Sequence, residues 1–326
     1  MPKIKKIAVF TSGGDSPGMN ACIRSVVRAG VSFNVDVYGI YRGFQGMIEG
    51  EIKLLESRDV SNIIQKGGTI LKSARSKDFM EKEGRAKAAA QLRKNEIDAV
   101  IAIGGDGTFT GAKIFQQEHD IPFIGIPGTI DNDLYGTDRT IGYDTALNTV
   151  VDAVDKIRDT ADSHDRLFFV EVMGKDAGFI ALRSGIACGA EAILIPENKT
   201  DVNELLQILK DGKKRNKNSS IVIVAEGDDT GGAIEIAKQV KARNNDYDTR
   251  VTILGHIQRG GSPSCSDRVL ASRLGVAAVQ ALAEGKNKVM VGEVNGQMTF
   301  TDFEKSIKHH QKIEKGLEEL ARVLAQ

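Results

Sequence analysis

The sequence predicts an α/β protein with mostly parallel sheets. Three observations carry that reading. Short β-rich apolar runs alternate with helix-like stretches over the whole chain. Several of those runs are apolar without alternation, as strands are when helices cover both faces of their sheet. The 35 glycines also exceed the roughly 23 that an average content of about 7% would supply. The excess falls just after apolar runs, where a strand must turn tightly into a helix or let a ligand approach the backbone.

In chain order, strands are expected at 7–11, 35–41, 99–103, 123–126, 167–173, 192–195, 221–225, 251–254 and 289–291. Helical patterns lie between them at about 18–30, 80–95, 107–118, 142–162, 202–215, 230–244, 266–285 and 303–325. Asp201 followed by Glu204 has the spacing of a capping box opening one of these helices. Residues 211–220 (DGKKRNKNSS) are a candidate polar loop, and no fixed-period repeat or low-complexity stretch interrupts the pattern. At 326 residues the chain exceeds what one core usually serves, so two domains are expected, the first sheet lying within residues 1 to about 140.

Composition narrows the classes of function. Hydrophobic residues at 41% and charged residues at 27% describe an ordinary globular protein. Lys plus Arg (44) balance Asp plus Glu (44), so no bulk attraction to nucleic acid or to a membrane surface is expected. Cys22, Cys188 and Cys265 are scattered and never spaced CxxC. A reduced cytoplasm, without structural disulfides or thiolate metal sites, is the expectation. No signal h-region and no span of about 20 apolar residues occurs.

Three loops follow strands and precede helices: Ser12-Gly13-Gly14-Asp15, Gly104-Gly105-Asp106-Gly107-Thr108 and Gly260-Gly261-Ser262-Pro263. In open α/β sheets ligands bind beyond the carboxyl ends of strands, where these loops fall. Backbone N–H groups bared by glycine at a helix N-terminus make an anion site. One Gly-Gly alone is simply a tight turn; three, two of them with an acidic residue, point to phosphates. No Walker A motif and no GxGxxG between strand and helix is present. Asp106 has the chemistry either to hold Mg²⁺ through waters or to cap the next helix. The run 123–133 reads as a strand entering a loop with two carboxylates two residues apart, Asp131 and Asp133. Phosphoryl transfer to an alcohol needs a base for the hydroxyl proton and positive charge for the phosphoryl oxygens, and this loop supplies the first.

Taken together, GGDGT (104–108), PGTIDND (127–133), Met173-Gly174 and LGHIQRGGSP (254–263) resemble the ATP-dependent 6-phosphofructokinase family of the bacterial type. SGGDSPGMN (12–20) and GGTILKSAR (67–75) match as well, so the likeness runs from residue 7 to about 275. It implies two Rossmann-like three-layer α/β/α domains with the active site in the cleft between them. An ATP-binding domain would comprise 1–142 plus about 258–308, and a fructose 6-phosphate-binding domain about 143–257 plus 309–326. The implied reaction phosphorylates D-fructose 6-phosphate at its 1-hydroxyl with ATP and Mg²⁺, the committed step of glycolysis.

Residue by residue, the resemblance makes Asp131 the general base, with Thr129, Ile130 and Asp133 beside it and Asp106 serving the metal. Gly14, Arg75, Ser76, Gly105, Asp106, Gly107 and Thr108 would hold ATP, with Arg75 as a charge clamp. The sugar phosphate would meet Met173, Gly174, Lys175, Glu226, His256, Ile257, Gln258 and Arg259, joined by Arg166 and Arg250 from a neighbouring subunit. Relatives using pyrophosphate carry Asp at the place of Gly107 and Lys at that of Gly128; both are glycine here, which favours ATP. Lys175 stands where arginine is common, keeping the charge but losing the bidentate fork, and Phe44 stands where tyrosine is frequent near the adenine.

The resemblance further implies a homotetramer with an effector site for ADP or phosphoenolpyruvate. Arg24 and Arg28, one helical turn apart, together with Arg158, Gly189, Glu191, Arg215 and Lys217, match its positions. Alternative readings are a pyrophosphate-dependent phosphofructokinase, an NAD or lipid kinase sharing only GGDGT, and a non-catalytic nucleotide sensor of the same fold.

Overall fold

Buried apolar faces, paired strand to strand, organise the computed structural model, which describes residues 4–164, 166–215, 219–244, 247–308 and 311–324. It divides into two units. One comprises Met1–Ile130, Leu134–Thr145 and Arg259–Gln311; the other comprises Asp131–Asp133, Ala146–Gln258 and Lys312–Gln326.

The first unit holds β1 (Lys6–Thr11), β2 (Asp36–Ile40), β3 (Ile52–Leu54), β4 (Ala99–Gly104), β5 (Phe123–Pro127), β10 (Val289–Val294) and β11 (Gln297–Asp302). They form one sheet in the order β11-β10-β5-β4-β1-β2-β3. All neighbours are parallel except the two outermost pairs, β2 with β3 and β10 with β11. One face, with Ile7, Val9, Ile101, Ile103, Ile124 and Ile126, packs against α1 (Met19–Phe33) and α9 (Cys265–Ala283). The opposite face, with Ala8, Phe10, Val100, Ala102 and Phe123, packs against α2 (Gly43–Glu49), α3 (Lys82–Lys94), α4 (Asp106–His119) and α10 (Phe303–Lys308). Side chains alternate faces along a strand, and both faces here are apolar and covered. Hence the strands read as unbroken apolar runs.

The second unit holds β6 (Arg166–Val172), β7 (Ala192–Leu194), β8 (Ser220–Ala225) and β9 (Asp248–Ile253), all parallel in the order β7-β8-β6-β9. Leu167, Phe169, Val222 and Val224 pack against α7 (Val202–Lys214) and α8 (Gly232–Arg243). On the other face Ile193 meets Gly185 of α6 (Phe179–Ala187), where a Cβ would stand 2.6 Å from Ile193 Cδ1. The long α5 (Tyr143–His164) precedes this sheet and α11 (Lys315–Leu324) follows it. Asp201 caps α7 as expected, accepting the Asn203 N–H at 2.8 Å.

Departures from the sequence reading have local causes. β3 has only three residues, and β11 is a partly exposed antiparallel edge, so neither carries a run of buried apolar residues. α6 is apolar almost all round, which removes the helical period. The expected helix over 303–325 is two helices, with 311–314 outside both. Phe44 is corrected too. It stacks on Phe79 with ring centroids 3.9 Å apart, tilts against Phe10 and is only 7% exposed, so its ring belongs to the core rather than to an adenine. No described helix is long and apolar enough to cross a membrane.

Candidate active site

Within the first unit the site is set by strand order. β5, β4 and β1 are adjacent and parallel, so their carboxyl ends deliver three loops side by side. The loops are bonded together: Ser12 N–H donates to the Ile103 carbonyl and Gly128 N–H to the Gly104 carbonyl, both at 3.0 Å. Gly104 is the pivot, since a Cβ there would stand 2.4 Å from Thr108 Oγ1 and 2.6 Å from the Ser12 carbonyl. Thr108 is accordingly buried. Gly105 is the N-cap of α4, and no side chain caps that end, which leaves first-turn N–H groups for an anion. Asp106 follows immediately, and its Oδ1 is buried with no hydrogen-bond partner among the described residues. At Gly107 a Cβ would meet nothing within 4 Å, whereas at Gly128 it would lie 2.9 Å from Ile103 Cγ2 and 3.2 Å from Met19 Cε. The space expected beside both glycines exists only at Gly107.

The motifs around residues 12–20 and 67–75 are knitted into one surface. Asn20, buried, donates from Nδ2 to the Lys66 and Gly67 carbonyls at 3.1 Å and accepts the Ile70 N–H on Oδ1 at 2.8 Å. Thr11 Oγ1 donates to the Lys72 carbonyl at 2.9 Å and Ser73 Oγ to the Gly13 carbonyl at 2.7 Å. Arg75, two residues further on, is exposed. Ser76 is engaged locally, donating to Gln45 Oε1 at 2.7 Å and accepting the Phe79 N–H at 3.1 Å. Arg259 lies across the glycine turn: a Cβ on Gly14 would fall 2.3 Å from its Nη1, which donates to the Asp15 carbonyl at 3.4 Å.

The acidic segment is held from its other side as well. Ile141 N–H donates to the Pro127 carbonyl at 2.9 Å, and Thr140 Oγ1 donates to the Thr129 carbonyl at 2.5 Å. Asp131 and Asn132 are buried, Asn132 in the left-handed region at φ 55°, which asparagine tolerates. Ile130 exposes no surface. Its side chain therefore packs within the segment that carries Thr129 and Asp131.

In the second unit Met173, Gly174 and Lys175 follow β6, and Glu226 follows β8. Gly174 and Lys175 both have positive φ, 145° and 55°. Glu226 Oε1 accepts both of their N–H groups, at 3.3 and 2.7 Å, so its carboxylate fixes the turn that presents Lys175. The Lys175 side chain is 60% exposed, with Nζ 3.8 Å from Asp176. His256 and Ile257 are exposed on the 3-10 turn Gly255–Arg259. Gln258 on the same turn is corrected: it exposes nothing, accepts the Met173 N–H at 3.2 Å and donates to the Gly255 carbonyl at 3.0 Å.

Strand pairing brings Arg166 and Arg250 together, because β6 and β9 align Arg166 with Asp248 and Phe168 with Arg250. Both guanidiniums reach Asp248, at 2.8 and 2.6 Å. The Arg166 hydrogen bond, with Arg250 beside it, holds the Asp248 carboxyl below the usual carboxylate range. Arg166 opens β6, about 20 Å along the strand from Met173 at some 3.3 Å per residue, and Arg250 on β9 stands opposite Phe168.

Of the residues expected at an effector site, Arg24 and Arg28 lie on α1. Arg158 donates to the Cys188 and Gly189 carbonyls and so covers the carboxyl end of α6. Glu191 is buried, its Oε2 accepting the Ile221 N–H at 2.5 Å. Arg215 is exposed at the end of α7, and Lys217 lies outside the described residues. Asp248 and Asn20 are the members that sequence reasoning missed. Asn20 had a signal, its place inside a matching motif; Asp248 had none, since its partner Arg166 is 82 residues away.

Comparison with known proteins adds the remaining observations. The family profile for phosphofructokinase matches residues 6–282. The chain is 57% identical, over all of both sequences, to the ATP-dependent 6-phosphofructokinase 2 of Bacteroides thetaiotaomicron. It is also 57% identical to the ATP-dependent 6-phosphofructokinase of Cytophaga hutchinsonii, across 98% of each. The solved structure of phosphofructokinase from Saccharomyces cerevisiae superposes with a TM-score of 0.90 at 38% identity, covering 98% of this chain and 48% of that longer one.

Proposed function

The chain belongs to the phosphofructokinase family, and from that premise we propose how it transfers the γ-phosphoryl group of ATP to the 1-hydroxyl of fructose 6-phosphate, giving fructose 1,6-bisphosphate and ADP. The observation that carries the reading is the convergence of three glycine-bearing loops at the carboxyl ends of β1, β4 and β5, one leading into Asp106 and one into Asp131. ATP lies on Gly14, Gly105, Asp106, Gly107 and Thr108, with Arg75 and Ser76 closing over it. The ATP-binding part is residues 1–142 plus about 258–308, and the remainder binds the sugar phosphate. Asp131 accepts the proton of the attacking hydroxyl, and Thr129 orients it.

Asp106 fits a hydrated divalent cation, because its buried Oδ1 lacks a hydrogen-bond donor among the described residues. Mg²⁺ would be held through waters and phosphate oxygens, and when bound it supplies charge neutralisation on the phosphates. Lys175, its turn fixed by Glu226, adds positive charge. Met173, His256 and Arg259 read the sugar phosphate. Arg166 and Arg250 reach the sugar phosphate of a neighbouring copy, which accounts for their place toward the amino ends of β6 and β9, away from Met173.

Turnover of fructose 6-phosphate with ATP and with pyrophosphate, measured side by side, tests the donor. ATP is expected to support the reaction and pyrophosphate not. Gly107→Asp is expected to raise KM for ATP at least tenfold without lowering Tm, since its side chain enters open space. A wild-type preference for pyrophosphate would sink the reading. We further propose a cytoplasmic homotetramer whose effector site for ADP or phosphoenolpyruvate includes Arg24, Arg28, Arg158 and Arg215. Saturation by fructose 6-phosphate is expected to be sigmoidal and to become hyperbolic with ADP; hyperbolic kinetics indifferent to both effectors would rule the site out.

A further inference from the structure

We propose that Asp267 is a positioning residue for the acidic segment, its buried carboxylate setting the backbone on which Thr129 and Asp131 stand. The proposal rests on the reading of Pro127–Asp133 as the catalytic segment. Asp267 lies in the first turn of α9 and is 1% exposed. Oδ1 accepts the Gly142 N–H at 2.9 Å, and Oδ2 accepts both the Thr145 N–H at 2.8 Å and the Thr145 hydroxyl at 2.5 Å. Three donors therefore converge on one side chain, a demand that only an acceptor-only group such as an ionised carboxylate meets. Burial pushes the Asp267 carboxyl up from its ordinary range, while the Thr145 and Gly142 donors pull it back.

What those donors belong to gives the contact its consequence. Residues 140–142 run alongside 127–129: Ile141 bridges Gly128 and donates to the Pro127 carbonyl at 2.9 Å, and Thr140 bonds the Thr129 carbonyl. The segment has no slack. A Cβ on Gly142 (φ 100°) would stand 2.6 Å from Ser16 Cβ, and one on Gly18 would stand 2.7 Å from Ile141 Cγ2. Ile141 and Gly142 are thus held between the first glycine loop and Asp267. The remaining bonds close the arrangement, with Ser264 N–H donating to Thr145 Oγ1 at 2.9 Å and Ser264 Oγ to Asp144 Oδ2 at 2.5 Å. A shift of Gly142 passes through its chain neighbours Ile141 and Thr140 to the Pro127 and Thr129 carbonyls, one hydrogen bond to each.

The test uses the full chain with Asp267→Asn, Thr145→Val, Thr145→Ser and Asp131→Asn, measuring kcat, both KM values and Tm. In D267N one amide N–H₂ must face donors. The expected result is a fall in kcat of at least tenfold with KM for ATP and for fructose 6-phosphate within threefold. Thr145→Val should lose kcat severalfold and Thr145→Ser, which restores the hydroxyl, should recover it. Wild-type kcat in a folded D267N, even with a lowered Tm, would overturn the proposal by making the residue merely structural. If D267N does not fold, equal kcat in Thr145→Val and Thr145→Ser overturns it instead. An active D131N would defeat the catalytic reading itself, which is a separate outcome.

Discussion

Asp131→Asn is expected to lower kcat about 10³-fold, the middle of the range for loss of a general base, equivalent to about 4 kcal/mol of activation free energy. Asparagine matches aspartate in shape, so the left-handed Asn132 and buried Ile130 on either side have no reason to move. ATP, proposed to bind at the β1 and β4 loops, does not use the lost proton acceptor. KM for ATP should therefore stay within threefold and Tm within a few degrees. ADP release in a coupled assay measures the first, and thermal melting measures the second. Retention of wild-type kcat would remove Asp131 from its assigned role. Interpretation as a free energy holds only if chemistry, not product release, limits both enzymes, which single-turnover measurement checks.

The second large effect is expected at Gly104. In Gly104→Ala the new Cβ would lie 2.4 Å from Thr108 Oγ1 and 2.6 Å from the Ser12 carbonyl. A hydroxyl can rotate away. The carbonyl belongs to backbone that is tied in turn by the Ser12–Ile103 and Gly128–Gly104 hydrogen bonds, so relief must splay the loops after β1, β4 and β5. Overpacking of this kind costs roughly 1–3 kcal/mol, seen as a lowered Tm. Because the loops are proposed to present their N–H groups to the phosphates, KM for ATP should rise at least tenfold while KM for fructose 6-phosphate moves less. Unchanged ATP affinity in a folded G104A would mean that these loops do not hold the nucleotide. Gly105 is a useful contrast, as a Cβ there would make only ordinary contact with Thr129 at 3.7 Å.

Much of this site is legible in sequence because its signals are local. Glycine after an apolar run reports a turn whatever the rest of the chain does, and GGDGT, PGTIDND and GHIQRGGSP together mark the family. Less legible are roles that depend on a partner far along the chain. Gly107 and Gly128 read alike, yet one borders open space and the other is wedged between Ile103 and Met19. Phe44 reads as an adenine neighbour, yet it stacks on Phe79 inside the core. Gln258 sits in the most distinctive motif, yet both ends of its amide are taken by backbone.

By itself, then, the sequence determined the α/β class, the nine principal strands and the family, and it named candidates for the chemistry, because periodicity and glycine placement are properties of neighbours. Only the tertiary structure decided which of those residues are exposed and which are buried or bonded to the backbone. The Arg166–Asp248–Arg250 cluster, the Asn20 clasp and the Asp267 anchor arise from strand order and helix packing. Strand order is chosen by burial of whole faces, and no short stretch of sequence carries it.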